Sequence, residues 1–327
     1  MKIILFGMPY YNYTKSKGVA LERLGHTVLM LENTETSSEA ISLQKKKMIE
    51  FKPDIFINFC GNYKANIIDE EFLKKLGNCK KVTIFADAIK FVGDIEQNFK
   101  MYDRVFVFEP SDISFVKSKY GIDAFLSNAN VAEEIFCKDY GDIKKEYDLS
   151  FVGLMTSDRA VFFDRIAKFA YENSLKMVCY GHFWHNNHWW QSFFAKRKFA
   201  KKYPFLVKYA KNQYVTPEEA ALLYKKSRIC LNKHIERHEG MNSRAFEIMA
   251  NDNFMLCDER VQADMFGLLD GENIVFYKDV EDCKEKIQYF LTNAEEREKI
   301  ATKGATLVRE RYTTKEFMRR VIEGFDE

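Results

Sequence analysis

Arg228-Ile229-Cys230-Leu231-Asn232, then His238-Glu239-Gly240-Met241-Asn242-Ser243-Arg244-Ala245-Phe246-Glu247-Ile248-Met249-Ala250, then Asn253-Phe254-Met255-Leu256-Cys257: this stretch decides how the chain folds. The two outer runs are short and apolar, as buried strands are. Between them a glycine turn leads into a short apolar helix beginning near Arg244. Strand, loop, helix and strand make the repeating unit of a parallel sheet, and such sheets bind ligands at the carboxyl ends of their strands. The contents of the loop fit that position. Gly240 permits a tight turn. The amides of Met241, Asn242, Ser243 and Arg244 are expected to point outward at a helix N-terminus, which attracts anions. Arg244 adds a guanidinium with bidentate geometry for phosphate oxygens. Glu239 and Glu247, eight positions apart, offer carboxylates for vicinal hydroxyls. A diphosphate joined to a ribose and a sugar needs this set of groups, although a glutamate at a helix start can also serve only the helix dipole.

Outward from this unit, the same alternation fills the chain. In the first half the spacing predicts strands at 2–7, 27–32, 54–60, 81–86, 104–108 and 123–127, with helices at 15–24, 37–51, 69–76, 94–101 and 111–119. The strands are unbroken Ile, Val and Phe runs, as expected where helices cover both faces of a sheet. A polar stretch from Asp139 to Glu146 interrupts the pattern, and Tyr147 to Gly153 restarts it. The second half predicts helices at 157–173, 217–227, 244–251, 280–292 and 294–311, and strands at 175–180, 228–232, 253–257 and 273–276. Thr216-Pro217-Glu218-Glu219 is a capping box with proline at the first helical position. The predicted fold class is α/β, with two Rossmann-like doubly wound domains, 1–145 and 146–312, facing each other across a cleft. A final helix in 313–327 is expected to pack back on the first domain.

Composition narrows the function classes. The chain of 327 residues carries a net charge of +2, so nothing pulls it as a whole toward nucleic acid or membrane. Its seven cysteines are scattered and form no CxxC pair, which suits a reducing cytoplasm and argues against a zinc site. No apolar run approaches the roughly 18 residues that a membrane span requires. Met1 leads directly into a strand rather than a signal sequence. A cytoplasmic location is expected, at most peripheral to a membrane.

Three further regions hold candidate chemistry. Gly153-Leu154-Met155-Thr156-Ser157-Asp158-Arg159 leaves the first strand of the second domain, and Arg159 is placed to meet the other side of a diphosphate, or else is a solvated loop arginine. The insert 182–213 has no acidic residue from His182 to Lys211, while Lys196, Arg197, Lys198, Lys201, Lys202, Lys208 and Lys211 alternate with aromatics that include Trp189, Trp190, Phe193, Phe194 and Phe199. It reads as a helix pair packing its aromatics inward, or as a surface for an anionic membrane or a polyanionic acceptor; nucleic acid is poorly supported. His182, His185 and His188 lack a carboxylate or cysteine nearby, so no metal is expected there. In the first domain, Asn58, Asn62, Asp87 and Glu109 fall at strand ends. Asp87 is the candidate base for an acceptor hydroxyl, with a cap or turn residue as the plain alternative.

Leu231-Asn232, Gly240-Met241-Asn242-x-Arg244-x-Phe246-Glu247-Ile248, Ile287-x-Tyr289-Phe290-Leu291 and Glu296-Arg297-x-x-x-Ile300-Ala301-x-x-Gly304 resemble the CgeB-like (spore-maturation type) glycosyltransferases, most closely over 214–320. These belong to the GT-B class with a Glu-x7-Glu motif. The resemblance implies a sugar transfer from a UDP-, dTDP- or GDP-linked donor to a glycan, lipid-linked or protein acceptor, without a metal cofactor and with retention of configuration favoured. It implies Glu247 for the ribose, Glu239 near the donor sugar and phosphates, phosphate contacts at the Gly153 loop, and the base beside Val215. The class usually has Ala-Cys-Gly after the second glutamate. Here Ala250-Asn251-Asp252-Asn253 stands instead, and asparagine tolerates the left-handed backbone that ends a helix. The rivals are a nucleotide-sugar epimerase or hydrolase on the same fold, and a non-catalytic binding protein.

Overall fold

The structure, a computed structural model, describes residues 1–7, 13–35, 37–59, 68–89, 99–127, 129–184, 189–260 and 263–325. The chain divides into two units, Met1–Ala132 with Tyr312–Glu327, and Glu133–Arg311.

The first unit holds strands β1 (Lys2–Gly7), β2 (Thr27–Glu32), β3 (Ile55–Phe59), β4 (Lys80–Ile84), β5 (Arg104–Val107) and β6 (Ala124–Leu126), all parallel, in the order β2-β1-β3-β4-β5-β6. Helices α1 (Tyr13–Arg23), α2 (Ser38–Phe51), α3 (Glu70–Lys75) and α4 (Pro110–Tyr120) flank it. The apolar strands are explained by their two covered faces. Ile3 and Leu5 pack with Ala20 and Leu21 of α1, whereas Ile4 and Phe6 pack with Met48, Phe72 and Val116 from the other helices. Burial on both sides leaves no position in β1 for a polar alternation. Most of the helix predicted at 94–101 lies outside the described residues; Phe99–Met101 forms a 3-10 turn.

The second unit opens with α5 (Glu133–Phe136) and then holds β7 (Tyr147–Val152), α6 (Ser157–Glu172), β8 (Met177–Gly181), α7 (Trp189–Lys202), α8 (Leu206–Tyr209), β9 (Ala210–Asn212), α9 (Pro217–Lys225), β10 (Ser227–Asn232), α10 (Ser243–Ala250), β11 (Met255–Asp258), β12 (Val275–Tyr277), α11 (Val280–Thr292) and α12 (Ala294–Arg311). Its sheet is also parallel, in the order β12-β11-β10-β7-β8-β9. From β7 the chain builds outward to β8 and β9, then returns to the other side of β7 with β10. The direction therefore reverses between β7 and β10, and a crevice opens at such a point. Thr216 and Glu219 make both bonds of the capping box that starts α9, at 3.2 and 2.7 Å.

Three details differ from the sequence reading. The unit boundary lies at 132/133 rather than near 145, because α5 packs on α9 and α10: Phe136 stacks on the buried Tyr224 at 6.5 Å between ring centroids. The polar run 139–146 is thus a loop of the second unit, and polarity alone did not mark the break. The insert contributes β9, a short edge strand whose residues have no apolar pattern to announce it. After α10 the left-handed residue is Asp252, at φ 54°, while Asn251 is buried and donates its amide to Ala221 O at 2.6 Å.

The final helix α13 (Thr314–Ile322) belongs to the first unit, where Phe317, Met318, Val321 and Ile322 pack with Leu5 and Ala20. Among the described residues no helix is long and apolar enough to cross a membrane.

Candidate functional site

The loops that follow β7 and β10 meet beside the reversal of the second sheet. The two arginines singled out by sequence converge beside Gly153. A Cβ added there would stand 2.9 Å from Arg244 Nη1, 2.9 Å from Phe151 Cζ and 3.5 Å from Arg159 Nη1. A side chain at this position would have to displace the Arg244 guanidinium and the Phe151 ring. Gly181, at the end of β8, is held as tightly, since its Cβ would fall 2.0 Å from the carbonyl oxygen of Gly153.

Of the two expectations for Arg159, a diphosphate contact or a solvated loop arginine, the structure removes the second. Arg159 is 3% exposed, and its Nε and Nη1 donate to Lys233 O at 2.7 Å and Leu154 O at 2.8 Å. It ties the loop after β7 to the loop after β10. Burial first, and the neighbouring Arg244 charge second, push its pKa down to about 10. A single turn of helix separates Arg244 from Glu247 on α10, so both side chains share one face. Glu247 is half-buried as a residue, and burial of its carboxyl raises the pKa, with Arg244 pulling the other way. Tyr224 lies fully buried beside this pair, its phenol pushed up by burial while Arg244 opposes the shift. The other face of α10 (Ala245, Phe246, Ile248 and Met249) is buried.

The helix start is more committed than sequence suggested. α10 begins at Ser243, and Asn242 is its N-cap, accepting from Ala245 N at 3.0 Å. The Asn242 amide does not point outward: it donates to His234 Nε2 at 3.1 Å. The Asn242 and Asn232 side chains exchange two hydrogen bonds of 3.2 Å. Gly240 and Met241 are buried and Ser243 is half-buried, whereas Glu239 is exposed.

A buried polar cluster, which no motif announced, holds this loop from below. His234 is 1% exposed. Its backbone N donates to Asp258 Oδ1 at 2.8 Å, and its ring Nδ1 lies 2.6 Å from the same oxygen. Asp258, the last residue of β11, also pairs with Arg260 at 2.9 Å and Lys233 at 3.3 Å. Arg260 then donates to His238 O at 2.8 Å, and Asp158 at the start of α6 accepts from Glu236 N at 3.4 Å. Despite desolvation, which alone would raise it, the Asp258 carboxyl sits far below the usual range because His234, Arg260 and Lys233 surround it. His234, Cys257 and Asp258 bring metal-ligating atoms within 4.8 Å of one another. Both ring nitrogens of His234 are already engaged, one with Asp258 and one with the Asn242 amide, so the histidine is a hydrogen-bonded bridge. The signal that would have found this cluster is positional: polar residues at or just past the carboxyl ends of β10 and β11.

The remaining candidates lie on other segments of the chain. Val215 is half-buried, just before the capped start of α9. His185 and His188 lie outside the described residues, as do the side chains of Trp189 and Trp190; His182 is exposed. Of the insert's aromatics, Phe183, Phe199, Phe205 and Tyr209 pack against the second unit's core, while Phe193 and Phe194 are 52% and 64% exposed. In the first unit Asp87 is half-buried and accepts from Ala88 N at 2.8 Å, as a turn residue does. Glu109 is fully buried in the capping box that starts α4, and Asn58 donates to Tyr102 Oη at 2.9 Å. Asn62 lies outside the described residues.

Residues 159–323, half of the chain, match the family model described as glycosyl transferase-like. No curated protein matches by sequence. Solved structures share the fold at low identity. Sucrose-phosphate synthase from Thermosynechococcus elongatus superposes with a TM-score of 0.62 at 12% identity, covering 98% of this chain and 97% of that one. Anabaena HepE, solved in complex with UDP and glucose, gives 0.65 at 9% identity, covering 100% and 99%. A putative UDP-N-acetylglucosamine 2-epimerase from Listeria monocytogenes gives 0.53 at 11% identity, covering 93% of each chain. The two parallel six-stranded sheets with flanking helices are those of the GT-B fold.

Proposed function

Because the chain belongs to the glycosyl transferase-like family, we propose that its second unit binds a nucleotide-sugar and that the enzyme transfers the sugar to an acceptor hydroxyl. In that reaction the bond from the anomeric carbon to the diphosphate breaks and a bond to the acceptor oxygen forms. The acceptor proton is lost, and the nucleoside diphosphate leaves with an added negative charge. One observation carries the reading: Arg244 and Arg159 converge beside Gly153 at the reversal of the second sheet, with Glu247 on the face of Arg244. Two cations held this close repel each other, and a diphosphate would relieve the repulsion most as its charge develops. Arg244 is the direct phosphate ligand in this scheme. Arg159 contributes its charge and holds the loops, and Glu247 takes the ribose hydroxyls. Glu239, exposed on the loop, faces the sugar and phosphates. The amides of Gly240, Met241 and Ser243 and the loop at Gly153 line the diphosphate, and Val215 borders the base.

The finer reading is a CgeB-like enzyme of the Glu-x7-Glu kind, metal-independent and retaining. In an inverting course Asp87 would be the base to test. HepE with UDP and glucose on the same fold makes a UDP-sugar the first donor to try, with a glycan or a lipid-linked molecule as acceptor. The outer face of α7, with exposed Phe193 and Phe194 beside exposed Lys196, Arg197 and Lys198, would bring the enzyme to an anionic lipid surface, where aromatic rings enter the interface and lysines meet headgroups.

A thermal-shift panel of UDP-, GDP- and dTDP-sugars with EDTA present tests the donor site. A ligand at 100 times its dissociation constant stabilises by about 2.7 kcal/mol, so one class should raise the melting temperature clearly. If none does, the donor-site reading fails. The epimerase on the same fold is the second reading; a donor that epimerises or hydrolyses quickly with no acceptor present would favour it.

A further inference from the structure

We propose that His234 is a positioning residue of the donor site, acting as a neutral Nδ1–H imidazole that sets the N-cap of α10 from the end of β11. The inference rests on the donor reading above for its consequence, and on geometry for its substance. The ring is buried and touched on two opposite sides. On one side Nδ1 lies 2.6 Å from Asp258 Oδ1, a carboxylate that can only accept, so Nδ1 carries a proton. On the other side the Asn242 amide, which can only donate, lies 3.1 Å from Nε2, so Nε2 carries none. The two contacts fix one tautomer.

The same two contacts form a mechanical chain. Asp258 is anchored at the end of β11, a strand paired on both sides, and braced by Arg260 and Lys233. Asn242 caps the helix that carries Arg244 and Glu247. The imidazole is a flat, rigid spacer between them, and Arg260 extends the brace to His238 O, next to Glu239. The loop from Lys233 to Asn242 is therefore held at both ends by one carboxylate. Preorganisation of this kind removes the ordering cost that the ligand would otherwise meet on binding.

The arrangement also has a pH consequence. Protonating Nε2 would set an N–H against the Asn242 N–H and break the second contact. The groups that face the ring are Asp258, which favours the proton, Arg260 and Arg159, which oppose it together with burial, and the Cys257 sulfur, 3.8 Å from Nδ1 and kept a neutral thiol by burial. Burial dominates, so His234 stays neutral below the ordinary histidine range. Nucleotide affinity should be flat above about pH 6.5, the free-histidine value, and should fall only on the acid side.

The two nitrogens can be tested separately. His234→Asn keeps an N–H donor at the Nδ1 position and lacks any acceptor at Nε2. His234→Gln places an amide oxygen near Nε2 and loses the donor to Asp258. Calorimetric titration with UDP should show His234→Asn about tenfold weaker than wild type, the size of one lost hydrogen bond, and His234→Gln within about threefold. Nitrogen-15 spectra of the histidine rings, with His234 assigned by its absence in the variants, should show the Nδ1–H tautomer in the wild type without nucleotide. An Nε2–H tautomer would overturn the proposal, and so would equal losses in the two variants or none in either. If wild type binds no UDP, the choice of UDP fails, and the tautomer decides the role of His234 by itself.

Discussion

The two units are built alike, each a parallel sheet of six strands, yet the polar groups at their strand ends do different work. In the first unit Glu109 and Asp87 serve their own turns, one capping α4 and the other accepting from the next amide, and only Asn58 reaches a distant segment among these three, donating to Tyr102. In the second unit the groups are linked across segments far apart in sequence. Arg159 joins the loops after β7 and β10, and Asp258 joins β11 to the loop before α10. The electrostatics differ in kind as well. Arg159 is buried next to a second guanidinium, and its charged form is disfavoured on both counts. A fold gains nothing for itself by holding like charges together away from water. Such an arrangement is expected where an anion is to be bound, and perturbed groups gather at functional sites for this reason.

The comparison breaks most directly at Arg244 and Glu109. Replacing Arg244 by alanine should lower kcat/KM for sugar transfer about 100-fold and abolish the thermal shift with nucleotide, because charge-assisted bonds to the diphosphate are lost as its charge grows. The melting temperature without nucleotide should hold or rise, since Arg159 is relieved of its neighbour. Glu109→Ala should do the reverse: activity stays within about twofold, while stability falls by about 1 kcal/mol with the lost cap. Loss of activity in both variants, or in neither, would remove the distinction between the units.

How much of this was legible beforehand follows the same division. Strand and helix periodicity is strong where each face of an element has one environment, and the predicted elements around β10, α10 and β11 stand where the structure has them. Glu247 and Arg244 could be placed on one helix face from their spacing alone. His234, Asp258 and Arg260 could not be brought together, because they lie on different segments and meet only when β10 and β11 pair. Arg159 was visible as a charge, but its burial depends on carbonyls of Leu154 and Lys233 that no pattern of side chains reveals. The short edge strand β9 carries Ala210, Lys211 and Asn212, a sequence without strand character, and exists because β8 offers it an open edge.

A smaller effect sharpens the account of the Asp258 cluster. The folded carboxyl titrates well below its ordinary value of 3.8, so the ionised form is favoured by folding. The sign follows: its contribution is fully present above about pH 4, the unfolded value, and fades as pH falls through the folded one. Asp258→Asn should cost about 3 kcal/mol at pH 7, since it strands Arg260 and Lys233 beside an uncharged group. The gap to wild type should narrow as pH falls below about 4. Urea unfolding at pH 7, 5 and 3 measures it. A gap that does not change with pH would mean that Asp258 acts without its charge, and the hub would then be one of shape alone.

The smallest effect on the folded protein is expected on α7, where the second unit carries side chains that its own core does not use. Phe199 and Tyr203 face that core, whereas Phe193 and Phe194 face outward and pack edge to face on each other at 5.7 Å. Converting both to serine should change stability by less than about 0.5 kcal/mol, as surface substitutions do. Transfer to a water-soluble acceptor should be unchanged as well. Sedimentation with vesicles of phosphatidylserine and phosphatidylcholine should show most of the bound fraction lost, and added salt should weaken what remains, since lysine attraction to headgroups is screened within a Debye length. If the double variant sediments like wild type, the rings do not enter the lipid interface and their part in the lipid role of α7 is lost. If the double variant unfolds readily, the rings are part of a packed surface after all, and α7 belongs with the inward-facing helices.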